Sequence, residues 1–462
     1  FYYYLFTLII IAMIGISIRF LILTLNYFLN ANNFSMRHSK LWAHVSLLSP
    51  VIFIVHFRKT EAVAWLSDWY YLFAGLFSLL SIISYMYYKI KSNQKVFLGL
   101  SIISYTLAVF SHEQAFPVIF LFFILDWSAK KNAERRLIHF FKNYGQAFFY
   151  FGVMISYFVI RYYLIGGIGG YSHISLRDYL NLKKIHHFLG LIIPPLHFSS
   201  IAQYIIPVII IVLGQIVALA YGFSGLFKKN NIKSKIQENF EILFYFLSAA
   251  IFLFPILSMH IPFTGILQER ILFMSIIFLS IILSFGFLSI VKKTQHKALV
   301  WSGVALFCIT SLLYTKLILH NTYIPASKIQ RDFINSSLKS AVLKTTKTKF
   351  IILYPDNYQH AYILRNATRV LPLSKIFESQ DVHFLGMSYI RSTKNNVFFY
   401  ERKKDVIILQ VKNLTFNIPE ITGQGYKLFS ANYILSIQIS SISNVKVLIY
   451  NLERKDFDVY TF

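Results

Sequence analysis

A few ionisable side chains stand at the ends of long apolar runs, and their types suit an anionic head group. "VHFRKTEAVAWLSDW" carries His56, Arg58, Lys59, Glu61 and Asp68 between two such runs. "FSHEQAFP" carries His112 and Glu113, "VIRYYLIGG" carries Arg161, and "LQERILF" carries Glu269 beside Arg270. Guanidinium groups clamp phosphate through paired hydrogen bonds, and carboxylates accept protons or hold cations in place. Near a bilayer such groups are costly unless paired, hydrated or used. They form one site only if the helix ends that carry them meet, so the expectation is that Glu61, Glu113, Arg161, Glu269 and Arg270 converge on one polar cavity. Simpler roles stay open: Glu269 and Arg270 as caps of the following helix, Arg161 snorkelling to the interface, Arg58 and Lys59 as lipid-facing anchors. Trp65 and Trp69 suit an interfacial aromatic belt. His186, His187 and His197 have no nearby acids, and no metal role is assigned to them.

The elements that must position these residues are membrane helices. Of 462 residues, 56% are hydrophobic and 18% aromatic against 14% charged, and the mean hydropathy is +0.56. That balance belongs to an integral membrane protein. The formal charge of +26 does not point to nucleic acid, because the Lys and Arg residues cluster in short loops between apolar runs. The single cysteine, Cys308, lies in an apolar run, which excludes a disulfide framework within the chain. Phe1 lies inside an apolar run without a preceding Met or basic segment, so the chain is expected to begin within a membrane helix.

Ten apolar stretches are candidate spans: Tyr3 to Phe28, Leu41 to Val55, Leu72 to Tyr88, Phe97 to Phe110, Phe116 to Trp127, Ala147 to Leu164, Gln203 to Tyr221, Ile242 to Leu257, Ile271 to Ile290 and Leu299 to Leu319. Several are shorter than the roughly 20 residues a straight crossing needs, and Phe116 to Trp127 is short enough to be re-entrant. Basic clusters at Arg37 and Lys40, at Lys89, Lys91 and Lys95, at Lys130 to Lys142, at Lys228 to Lys235 and at Lys292 to Lys297 fall in every second loop. They mark the cytoplasmic side and leave the candidate site residues on the other. From about His320 the pattern changes: "KFIILYP", "KDVIILQV" and "VKVLIYNL" read as buried strands, and "PDNYQHAYILRNA" as a turn followed by a short helix. The expected fold is an all-α polytopic bundle of about ten transmembrane helices over residues 1–319. A small α+β extracytoplasmic domain follows over 320–462.

The residues also carry a resemblance. "LWAHVSLLSPVIFIVHFRKTEAVAWLSDW" resembles a segment of GT-C type membrane glycosyltransferases, in the O-mannosyltransferase-like group that includes tetratricopeptide-bearing members. There an apolar helix ends in His-Pro and then Glu-Ala-Val-Ala-Trp, and His56, Glu61 and Trp65 fall in register. "LAVFSHEQAFPVIFLFFILDW" is similar to a second segment through Ser111, Glu113, Pro117, Asp126 and Trp127, "RYYLIGG" to the Arg-containing end of a later helix, and "ERILF" to Glu-Arg-Tyr-Leu-Tyr. Phe57 replaces the motif Pro, His112 a Lys, and Trp69 an Arg; the tail lacks tetratricopeptide repeats.

The resemblance implies an inverting transfer of a sugar from a polyprenyl-phosphate-linked donor to a protein or glycan acceptor at the outer face of a bacterial inner membrane. No other cofactor is implied. Arg161, Arg270, His56 and His112 would bind the donor phosphate, Glu61 and Glu113 would support catalysis, and Glu269 and Asp68 would orient. The family's main base lies in a first outer loop, which is expected upstream of this chain together with the first helix. Two other classes stay open, a transporter or flippase of lipid-linked sugars and a non-catalytic membrane scaffold. The charge alternation gives a direct prediction. Single cysteines at Ser336 and Ser234 should be labelled by an impermeant reagent on intact cells at 336 only; labelling of 234 with 336 spared contradicts the topology.

Overall fold

The computed structural model describes residues 2–32, 39–57, 60–64, 68–91, 94–129, 145–165, 191–192, 194, 201–224, 239–253, 272–339, 349–358, 361–362, 382–389, 398–403, 406–411, 414–415, 421–423, 426–431, 434–439, 445–451 and 455–461. They divide into two compact units, one ending at Thr315 and the other beginning at Lys316.

Each of the ten apolar stretches forms a helix. They are α1 (Tyr2–Ala31), α2 (Ser39–Val55), α4 (Trp69–Ile90), α5 (Lys95–Ser111), α6 (Val118–Ala129), α7 (Gly145–Ile165), α8 (Ile201–Phe223), α9 (Phe240–Leu253), α10 (Phe273–Lys293) and α11 (Lys297–Ile318), and a one-turn helix α3 (Thr60–Ala64) precedes α4. Many of these sequences are rich in Ile, Phe and Tyr, which are mediocre helix formers in water. In hydrocarbon the backbone has no other donors and acceptors, so it closes its hydrogen bonds within the helix. Five of the helical segments, beginning at Tyr4, Trp69, Ile205, Phe273 and Lys297, are long and apolar enough to cross a membrane. The chain is an integral membrane protein. Helix α6, with 12 residues, would rise only about 18 Å, well short of a hydrocarbon core.

The first unit is built around α10. Every residue from Phe273 to Ser289 is buried, with α2, α4, α8 and α9 against it. Its serines are satisfied locally or by neighbours: Ser275 Oγ donates to Ala249 O, and Ser284 Oγ to Ser280 O. Polar interlocks also join α4, α5 and α7. Ser81 and Ser101 each donate to the other's carbonyl at 2.8 Å, and Tyr150 OH donates to Ser101 Oγ at 2.7 Å. Between apolar helices in lipid there is no hydrophobic drive to associate, so such bonds and close packing hold the bundle.

A close helix approach joins α8 and α10. A Cβ placed on Gly286 would fall inside the backbone carbonyl of Ala218, and one on Gly222 would meet Gly286 Cα at 3.7 Å. Only glycine lets these two backbones touch.

The second unit contains the helical residues from Lys316 on, including a π-helical turn (Leu319–Tyr323) and α12 (Ile324–Lys339), followed by strands. The strands are β1 (Lys349–Tyr358), β2 (Ala361–Tyr362), β3 (Val382–Tyr389), β4 (Phe398–Lys403), β5 (Val406–Val411), β6 (Leu414–Thr415), β7 (Ile421–Gly423), β8 (Tyr426–Ala431), β9 (Ile434–Ile439), β10 (Val445–Asn451) and β11 (Asp456–Thr461). One sheet has the order β11-β10-β1-β3-β6, with β2 paired to β1; the other has the order β4-β5-β9-β8-β7. β1 is parallel to both β10 and β3, while the second sheet is antiparallel throughout. Ser336 donates to Lys455 O, and Lys455 Nζ lies 3.2 Å from Asp332, which ties the β10–β11 hairpin to α12.

The three strands read in the sequence are β1, β5 and β10. The turn expected at "PDNY" is corrected: β1 continues to Tyr358, and Asn357 and Tyr358 pair antiparallel with Tyr362 and Ala361. Pro355 has no N–H to give. It lies beyond the last β10 partner, Leu353, where the register with β3 also shifts, a place where a sheet tolerates proline. The short helix expected after Tyr362 lies outside the described residues.

The α8–α10 contact yields a stability prediction. Gly286→Ala should lower the thermal stability of the detergent-extracted protein by about 1–3 kcal/mol through overpacking. Gly303→Ala on α11, where nothing lies within 4 Å, should be neutral or stabilise by up to about 1 kcal/mol. Equal effects at the two positions would contradict the close crossing.

Candidate functional site

Side-chain contacts sort the helix termini of the first unit into two ends. At one end, Trp69 at the start of α4 donates to Thr7 near the start of α1 at 2.9 Å. Tyr70 and Tyr71 sit against the His112 ring after α5, and Phe53 near the end of α2 meets Phe273 at the start of α10. At the other end, Lys89 near the end of α4 pairs with Asp126 of α6 at 3.0 Å and donates to Gln146 at the start of α7. Lys293 at the end of α10 donates to Ser224 just after α8. The described lysines of the loop clusters belong to this second end, and the described candidate site residues to the first.

The core of the candidate site is a turn of three residues. Helix α5 stops at Ser111, where His112 turns to an extended conformation (φ −157°, ψ 137°), and Glu113–Ala115 form one 3-10 turn before α6. His112 closes this turn from both of its polar groups: its carbonyl accepts from Ala115 N at 3.0 Å, and its Nδ1 accepts from Gln114 N at 3.1 Å. With Nδ1 committed as an acceptor, the neutral ring carries its proton on Nε2. The ring stacks on Tyr70 at 5.1 Å between centroids and meets Tyr71, tilted, at 4.2 Å. Tyr105 OH donates to Phe116 O at 3.2 Å on the far side of the turn.

The turn aims Glu113 at α7. Arg161 Nη1 lies 2.9 Å from Glu113 Oε2, and the same nitrogen donates to Tyr157 OH. Tyr157 OH in turn donates to Glu113 Oε2 at 3.3 Å. Tyr157 and Arg161 are four residues apart on α7, which puts them on one face. The Arg161 side chain is 14% exposed and the Glu113 side chain 33%. One guanidinium corner therefore holds the carboxylate and the phenol, whereas the buried Arg161 Nε has no hydrogen-bond partner among the described residues. Burial acts to raise the Glu113 carboxyl. The charge of Arg161, a backbone hydrogen bond and the hydrogen bond from Arg161 outweigh it and hold the group below the usual glutamate range.

His112, Glu113 and Arg161 thus form one cluster. His56 follows α2, fully buried, with its ring stacked on Phe57 at 4.6 Å, and Phe57 meets Tyr314 edge-on. Asp68 is 1% exposed and precedes α4 at the N-cap position, without its side chain capping the helix. The positive end of the α4 dipole favours a carboxylate there. Glu61 lies in α3. Glu269 and Arg270 lie outside the described residues, as do Arg58, Lys59, Trp65, His186, His187 and His197. Among the described residues, no three His, Cys, Asp or Glu side chains gather as metal ligands do.

Sequence reading missed Tyr157, Tyr70 and Tyr71. Tyr157 had a signal, its spacing of four from Arg161. The two tyrosines beside His112 had none, because tyrosine is common throughout the chain and their partner lies about forty residues on. Compared with protein-family models, curated proteins and solved structures, the chain gives no match.

The electrostatics of the pair set a pH dependence. A depressed carboxyl contributes stability above its unfolded pKa and loses it as pH falls through the folded value. Glu113→Gln should therefore cost about 1 kcal/mol at pH 7, the difference between a charged and a neutral hydrogen bond. That deficit should shrink as the pH falls below the usual glutamate range, since the wild-type carboxyl is then protonated too. Denaturation of both proteins across that range checks it, and a deficit independent of pH would contradict the ion pair.

Proposed function

We propose that the protein is a GT-C type membrane glycosyltransferase that moves a sugar from a polyprenyl-phosphate-linked donor to a protein or glycan acceptor. In this reading the apolar helical bundle lies in a bacterial inner membrane, with the candidate site and the C-terminal unit on the periplasmic side. The observation that supports it best is the Arg161 guanidinium at an end of the apolar bundle. It is anchored through Nη1 by Glu113 and Tyr157, with Nε left for an anion. A lipid phosphate presents its charge at that depth, where the hydrocarbon ends. The family resemblance supports the reaction type.

The chemistry follows from the donor. The acceptor hydroxyl oxygen bonds to the anomeric carbon from the face opposite the phosphate. The bond from that carbon to the phosphate oxygen breaks, and its electron pair leaves with the polyprenyl phosphate. The hydroxyl proton passes to a carboxylate. Charge grows on the leaving phosphate, and Arg161 and Arg270 would neutralise it as it develops. Glu113 is a poor base, because its pairing with Arg161 lowers its proton affinity; its part is to hold the guanidinium. His56 and His112 would line the phosphate side, and Glu61, Asp68 and Glu269 would orient the groups around them.

Turnover of a polyprenyl-phosphate sugar by the full-length protein tests this. Arg161→Lys keeps the charge but loses the planar fork, and should reduce kcat roughly 10- to 1,000-fold; Arg270→Lys should do the same. Glu113→Gln should lose less than either arginine change. Wild-type rates in both Arg161→Lys and Arg161→Ala would remove Arg161 from the reaction. Movement of the donor across the bilayer without release of polyprenyl phosphate would favour a flippase.

A further inference from the structure

Gln114 is the middle residue of the turn that carries Glu113, and it is only 2% exposed. Among the described residues, neither its Oε1 nor its Nε2 has a hydrogen-bond partner. Its backbone N–H is held by His112 Nδ1, and the His112 ring is held by Tyr70 and Tyr71, so the turn is fixed from two sides. Successive residues in a 3-10 turn project about a third of a circle apart. Glu113 reaches Arg161, and the Gln114 side chain leaves the turn in another direction. Its buried neighbour in sequence, Ala115, offers it nothing polar.

A buried carboxamide with both its donor and its acceptor unmet is costly, and an apolar side chain of similar size would avoid that cost. What meets both ends at once is a pair of neighbouring hydroxyls, one donating to Oε1 and one accepting from Nε2. A sugar ring presents that pair. A phosphate does not, since it only accepts and would be repelled by Oε1. We infer that Gln114 binds ring hydroxyls of the donor sugar, beside the Glu113 that holds the phosphate-binding Arg161. Gln114 is then a specificity residue of the proposed site, and the inference rests on the donor reading given above.

Binding to the detergent-solubilised full-length protein separates the two. The probes are a short-chain polyprenyl phosphate and its mannosyl and glucosyl esters. Wild type should bind at least one ester about 10-fold or more tightly than the bare phosphate. Gln114→Leu, or Gln114→Met if the leucine variant does not fold, should bring that ester down to the affinity of the bare phosphate and leave the bare phosphate unchanged. Arg161→Ala should weaken all the probes. A Gln114 variant that keeps the preference, as expected if buried water satisfies the carboxamide, overturns the inference. So does one that loses all probes equally, and so does a wild type that binds phosphate and esters alike. A wild type that binds none of them overturns the donor reading and the Gln114 assignment with it.

Discussion

A guanidinium at the rim of an apolar bundle is stable only beside a counter-charge, and the Glu113–Arg161 pair supplies it across 48 residues of sequence. The pair requires α5 to stop at Ser111, the chain to turn through Glu113–Ala115, and α7 to bring Arg161 to the same level. His112 meets these conditions locally by closing the turn with its carbonyl and its Nδ1. Tyr70 and Tyr71 extend the constraint to α4, and Tyr157 extends it along α7. Four helices are thus held at one end by a cluster whose centre is one ion pair. Such a pair costs desolvation as well as contributing attraction, which suits an arrangement kept for binding better than one kept for stability alone.

The opposite end is held differently. Lys89 is satisfied by Asp126, by Gln146 and by the faces of Tyr85 and Tyr88, and Gln146 donates in turn to Tyr88 OH. That network joins a lysine of α4 to groups on α6 and α7. At the Arg161 end, Nε and both amide atoms of Gln114 have no hydrogen-bond partner among the described residues. Between the two ends, buried α10 and the close α8–α10 crossing keep the helices in fixed register.

Much of the helical organisation was legible because an apolar run of about 20 residues has few other fates in a membrane chain. The runs at Tyr3, Leu72 and Ile271 became α1, α4 and α10 with ends shifted by a few residues. Which helix lies at the centre was not legible. α1 and α10 are similarly apolar, and the distinction is seen only in packing, where Gly286 admits a backbone and α1 leaves Leu8 and Phe20 exposed. Glu113 and Arg161 each stood out as charges at helix ends, but their pairing depends on helix arrangement and leaves no mark in spacing. Tyr157 was visible in principle from its place four residues before Arg161. In the second unit the apolar cores of β1, β5 and β10 were legible, whereas Pro355 suggested a turn because proline usually ends a strand. Pairing with β3, and then with β2, carries the strand past it beyond the last β10 partner.

The central claim is that the open corner of Arg161 receives the phosphate of a lipid-linked sugar. An experimental structure of the full-length protein with a polyprenyl-phosphate sugar bound tests it most directly. The expected result is a phosphate oxygen about 2.7–2.9 Å from Arg161 Nε, as in a charge-assisted hydrogen bond, with the Glu113 contact to Nη1 retained. A phosphate seated at the Lys89 and Lys293 end, or one that makes no contact with Arg161, would contradict it.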